Sequence, residues 1–174
     1  MAVYLQDLED LSQTCREFGG SGLQGFLTDE RVAGLQWPDD VVEQWLYDHA
    51  GWGRFQSDYG HLDLARVTWD AELVAAEAFL TMPTGPSEGD LIDENAEQAD
   101  HWCEVRRHLG VPQYWESHGT WMRWPVLIDR SLLYPGETGL QVIEGRTRVG
   151  ILRGFLRQGR QVAPAHRVWV GRPR

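Results

Sequence analysis

The stretch Leu140-Gln-Val-Ile-Glu-Gly-Arg-Thr-Arg-Val-Gly-Ile-Leu152 constrains the fold more than any other part of the chain. Leu140, Val142 and Ile143, set among polar neighbours, suit a strand. Glu144-Gly145 reads as a turn, after which Val149, Leu152 and Leu156 fall in helical register with Arg148 near the helix start. A helix entered this sharply leaves its first backbone N–H groups unpaired, and those groups and the helix dipole favour an anion. Arginine can add bidentate hydrogen bonds to phosphate. The same residues also suit a plain strand–helix corner whose arginines are solvated.

Ile143-Glu-Gly-Arg-Thr-Arg-Val-Gly-Ile-Leu152 resembles the signature box of the ParB/sulfiredoxin-like domains, in which a strand ends in Gly-x-x-Arg and runs into a helix. Gly145 and Arg148 match its two most telling positions, and Gly150 stands where the family usually places Ala. Trp124-Pro-Val-Leu-Ile-Asp129 resembles the strand before the box, and His166-Arg-Val-Trp-Val170 the strand after the helix. The resemblance covers residues 120–171, and more loosely 60–171.

Two departures narrow what the resemblance implies. Sulfiredoxins carry a catalytic Cys inside the box, whereas here Thr147 sits between the arginines and Cys15 and Cys103 lie far away in sequence. ParB partition proteins follow the domain with a helix-turn-helix module, for which this sequence leaves no room after Arg174. What remains implied is a phosphate- or nucleotide-binding domain, a role the family puts to CTP binding, nucleotide hydrolysis, kinase chemistry or nuclease activity. By this resemblance Gly145, Arg146, Thr147 and Arg148 are expected to bind phosphate, either of a nucleotide such as CTP or ATP with Mg²⁺ or of a nucleic acid. Glu144, directly before the glycine, is the acid placed to hold Mg²⁺ or accept a proton; equally, it can counter Arg146 or Arg148 in an ion pair.

Charge is distributed unevenly. Residues 119–174 hold ten arginines against three acids, while the preceding 118 residues hold six arginines against 23 acids. Either the acidic part covers the basic part, or the two face different partners. All sixteen basic residues are arginine, which suits phosphate and carboxylate recognition, although such a bias can also arise from genome composition. The net charge of −10 opposes strong nonspecific DNA binding. A second function class therefore stands beside the first: a non-enzymatic acidic immunity protein or inhibitor, whose front half masks a basic toxin or nuclease.

Local patterns predict an α+β fold, helical in front and with a small mixed sheet behind. Residues 1–58 read as an acidic helical region and 59–174 as the α+β domain with a helical insertion. Helices are expected over 3–18 and from Pro38 to about His49. A strand is expected over 62–69, a helix capped by Asp70 to about Leu80, a loop over 82–89, and an acidic helix over 90–109 ending at Gly110. Gly19-Gly-Ser-Gly22 lacks the Gly-Lys-Ser/Thr ending of a phosphate loop and reads as a turn. No apolar run reaches the ~18 residues of a membrane span, and the start lacks a signal-peptide pattern. A cytoplasmic protein with reduced thiols and no membrane partner is expected.

His101, Glu104 and His108 would share one helix face, but their spacing spans more than the single turn that metal pairs favour. His118 and His166 flank the basic region, and either imidazole could act as a general base. Nine tryptophans are many for 174 residues. Most should be core, while Trp121 and Trp124, beside Arg123, are the pair expected to contact a nucleobase or a protein partner, together with His166.

Overall fold

Two nine-residue strands, β1 (Val67–Ala75) and β4 (Ala165–Pro173), form the antiparallel spine of a four-stranded mixed sheet. In the computed structural model, which describes residues 2–174, the strand order is β1-β4-β2-β3. β2 (Val126–Asp129) runs parallel to β4 and pairs antiparallel with β3 (Leu140–Glu144). The fold class is α+β, as the sequence patterns predict.

Alternation along the strands sends side chains to two separate cores, because successive residues point to opposite faces. Val67, Trp69, Val126, Ile128 and Ile143 point to the front face. There they meet α1 (Glu9–Arg16), α2 (Gly22–Thr28), α3 (Glu30–Ala33), α4 (Asp39–Val41) and α5 (Gly53–Tyr59). Val74, Leu127, Val142, Val168 and Val170 point to the back face. They are covered by α6 (Leu91–Glu97), α7 (Ala99–Val105), α8 (Val111–His118) and α9 (Arg146–Arg157). Helices therefore lie on both faces of the sheet. Among the described residues, no helix is long and apolar enough to cross a membrane.

The front core is aromatic. Trp37 stacks on Trp45 at 5.5 Å, and the edges of Trp69 and Tyr59 close on Trp45 at 6.0 and 5.8 Å. α4 continues as a π-helical turn over Val42–Tyr47, a local widening that recurs at functional sites. The back core instead depends on close helix approach. A Cβ at Gly150 would sit 2.5 Å from the Asn95 Cβ, and one at Gly154 would sit 2.4 Å from the Ala96 carbonyl oxygen. The absence of side chains there lets α9 lie directly on α6 and α7.

The acidic front half does cover the basic C-terminal part. Arg123 pairs with Asp40 and Glu43, Arg146 with Glu88, Arg153 and Arg157 with Asp93, Arg160 with Asp100, and Arg172 with Glu72. Six of the ten C-terminal arginines are thus neutralised by acids from earlier in the chain.

Several predicted elements shift. The strand expected over 62–69 is a 3-10 turn over Leu64–Arg66 followed by β1, and Asp70 lies within β1 rather than capping a helix. Asp70–Ala75 reads locally as helical, but β4 offers it a backbone partner residue for residue, from Asp70 opposite Val170 to Ala75 opposite Ala165. The acidic helix over 90–109 breaks at Gln98 and Arg106 into α6, α7 and a 3-10 turn, with Gly110 left-handed beyond it. The break also means that His101 and His108 do not share one continuous helix.

Candidate functional site

The predicted strand–turn–helix corner is the junction of β3 with α9, and the glycine is what makes it sharp. Gly145 has φ +90°, where a side chain is strained. A Cβ at Gly145 would also lie 2.8 Å from the Pro125 Cβ. The first closed bond of α9 runs from the Val149 N–H to the Gly145 carbonyl at 2.9 Å. The N–H groups of Arg146, Thr147 and Arg148 precede it, with no carbonyl one turn back in the helix.

This corner forms the floor of a cleft of about 710 Å³ at the carboxyl end of β3, where the front and back layers meet. The front layer contributes Gln44, Asp48 and His49, and the back layer Leu91, Leu109, Val111 and Trp115. Glu144, Gly145, Arg146, Thr147 and Arg148 all line it, as do Trp121 and Arg123. One wall is titratable, the opposite wall largely apolar, and the amino end of a twelve-residue helix lies between them.

The two predicted phosphate arginines are built into the protein. Arg148 donates to the carbonyls of Arg123 and Trp124 at 3.1 and 3.4 Å and to the Gln44 Oε1 at 2.7 Å. Burial pulls its guanidinium down to about 10, against the supporting charge of Glu144 at 3.6 Å. Gln44 is itself buried, and its amide nitrogen donates to the Asp40 carboxylate and the Trp124 carbonyl. Arg146 lies over the rings of Trp52 and Phe55 at 5.4 and 5.1 Å, and its charge is taken by Glu88. Glu88 also meets Arg54 at 2.5 Å. Its position is set by Asp58, which accepts hydrogen bonds from the backbone and hydroxyl of Ser87.

Glu144 holds the centre of the floor. Burial raises its carboxyl, but His49, Arg148 and the Gly145 N–H outweigh that and hold it below the usual carboxylate range. The His49 Nε2 is 3.5 Å from the Glu144 Oε2, and the imidazole stacks on Phe55 at 4.5 Å. Sequence reading chose Glu144 but missed His49. Its only local signal is its position at the end of the helix opened by Pro38, 95 residues before its partner. Asp48, beside it, is pushed up by burial, and His49 partly opposes that.

The remaining expected contacts separate. Arg123 reaches the cleft while paired with Asp40 and Glu43. Trp121 presents an edge there, but it is buried and its indole N–H donates to the Arg167 carbonyl at 2.7 Å. Trp124 packs on Trp169 at 5.1 Å and under Arg167 instead of lining the cleft. His166 is only 1% exposed, bonded through Nδ1 to the Thr120 hydroxyl at 2.8 Å, and 4.8 Å from the Trp121 ring. It is a core residue, out of reach of a ligand in this fold. His118 is exposed and stacked on Tyr114 at 4.1 Å, outside the cleft. Among the described residues, no three His, Cys, Asp or Glu side chains gather in a metal-binding cluster. Arg106, on the cleft rim, is exposed and makes no ion pair among the described residues.

No family model, curated protein or solved structure matches this chain. The functional reading therefore rests on the cleft itself.

Proposed function

We propose that the cleft binds a nucleotide or another small phosphate-bearing ligand. Its phosphate lies at the amino end of α9 and its planar, apolar part lies against Leu109, Val111 and Trp115. The observation that carries this reading is the corner at Gly145, which turns the first N–H groups of a twelve-residue helix into a cleft of about 710 Å³. That volume falls in the range of small-molecule sites, which pair apolar walls with a few fixed polar groups. The ParB/sulfiredoxin-like resemblance of residues 143–152 points to the same ligand class.

The roles differ from a simple arginine clamp. Arg148 is tied to Gln44 and two carbonyls, so it shapes the site and contributes charge from behind. Direct contact falls to the α9 backbone, the Thr147 hydroxyl, Arg106 and Arg123. The reading as an acidic immunity or inhibitor protein has less support. Asp40, Glu43, Glu72, Glu88, Asp93 and Asp100 are spent on the chain's own arginines.

Thermal unfolding with CTP, ATP, GTP or ADP plus Mg²⁺ tests the proposal. A ligand at a hundred times its dissociation constant should stabilise by about 2.7 kcal/mol. Arg106→Glu and Leu109→Trp, both at exposed positions, should each weaken that stabilisation. A shift equal in wild type and both variants, or none with any nucleotide, would sink the reading.

A further inference from the structure

We propose that the cleft hydrolyses the phosphate ester or anhydride it binds, with His49 as general base and Glu144 as the carboxylate that orients it. This inference rests on the phosphate-binding reading and goes beyond it. It starts from a pair that no single segment of the sequence contains: His49 from the front layer and Glu144 from the end of β3, 3.5 Å apart on the cleft floor.

Each partner is held in place by different contacts. Glu144 is fixed by Arg148 at 3.6 Å and Arg146 at 3.8 Å. His49 is stacked on Phe55 at 4.5 Å and tilted over Trp52 at 5.3 Å, so its ring has little rotational freedom. An Nε2–H donated to an ionised Glu144 leaves Nδ1 as the ring's lone-pair nitrogen, the tautomer a base requires. Both side chains keep 22% of their surface open, enough to reach solvent in the cleft. A base, an orienting carboxylate and helix N–H groups that can receive developing negative charge thus line one cavity.

The step balances without any oxidant or reductant. A water oxygen bonds to phosphorus while the bond from phosphorus to the leaving oxygen breaks. His49 takes the water proton and returns it to the leaving oxygen. Charge developing on the phosphoryl oxygens falls to the α9 N–H groups, Thr147, Arg106 and Arg123. The charged groups facing His49 are Glu144 from β3, Arg146 and Arg148 from α9, and Asp48 from its own helix; Glu9 and Arg16 of α1 line a second hollow against its other side.

The whole protein is assayed for release of p-nitrophenol from bis(p-nitrophenyl) phosphate and of phosphate from CTP, ATP and GTP with Mg²⁺. The nucleotide-induced shift in unfolding midpoint is followed in parallel. Wild type should turn over at least one of these substrates. His49→Gln should lose about 10²- to 10⁴-fold in rate while keeping its nucleotide shift. Glu144→Gln should lose rate, and Glu144→Asp, which restores the carboxylate, should recover part of it; a mere packing role would favour the isosteric Gln instead. A His49→Gln variant that is folded and retains more than a tenth of the wild-type rate overturns the assignment. Nucleotide shifts without any turnover overturn the activity and leave the binding reading standing. Neither shift nor turnover ends both.

Discussion

The two walls of the cleft come from layers that cover opposite faces of one sheet, and they differ in chemistry and construction. The front layer brings Gln44, Asp48 and His49 from a helix with a π-helical turn, seated on packed indoles. The back layer brings Leu91 from α6, which Gly150 and Gly154 draw against α9, and Leu109, Val111 and Trp115 from the 3-10 turn and α8 that follow α7. The corner between β3 and α9 belongs to both. The walls divide accordingly: the front wall carries titratable and hydrogen-bonding side chains, and the back wall carries shape.

Trp45→Ala should break the front layer hardest. Trp45 is fully buried against Trp37, Tyr59 and Trp69, and removing a buried indole costs about 3–5 kcal/mol, with the adjacent Gln44 and His49 displaced as well. Denaturant titration should show that loss, and any nucleotide shift should vanish with it. If the shift survives at full size, Gln44 does not position Arg148 for the site.

Acid should strike the back layer next. Burial lowers the His166 imidazole from 6.5 to about 4, while the Ala163 backbone and Glu77 offset this slightly. Between those values the unfolded chain binds the proton and the folded one does not, so stability present above 6.5 is lost as pH falls toward 4. From neutral pH down to 4 the loss is about 3 kcal/mol. A stability profile against pH should show this fall in wild type and a flatter course in His166→Gln. Identical profiles would refute the assignment.

Gly154→Ala should cost about 1–3 kcal/mol by overpacking, because its methyl group would meet the Ala96 carbonyl and the Ala99 side chain at 2.4 Å. Ligand-induced stabilisation should survive it, which separates shape from site. The smallest effect belongs to Arg123→Ala. Its pairs with Asp40 and Glu43 link the layers but stand exposed, so stability should change by only about 0–1 kcal/mol while nucleotide affinity weakens. A large stability loss would mean that these ion pairs, not the two apolar cores, hold the layers together.

Much of this molecule is legible in the chain. The β3–Gly145–α9 corner follows from an alternating strand, a glycine and a helical register within thirteen residues, all of them local signals. The charge imbalance left two explanations open, and the ion pairs between the acidic half and the C-terminal arginines select covering. Residues 70–75 carry a helical composition that is only a weak preference, and a nine-residue partner strand overrides it. His166 looked available because a histidine beside arginines carries no mark of burial; its position on β4 behind Phe79 and Trp121 decides that.

By itself, then, the sequence determined the α+β class, the strand–glycine–helix corner and the polarity of each half, since those depend on neighbours within a few residues. Only the tertiary structure decided that Arg146 and Arg148 are already partnered, by Glu88 and Gln44, and that His49 meets Glu144. Those contacts join side chains 58, 104 and 95 positions apart. Proximity at such separations is set by how two helical layers close on one sheet, and no local pattern of residues encodes it.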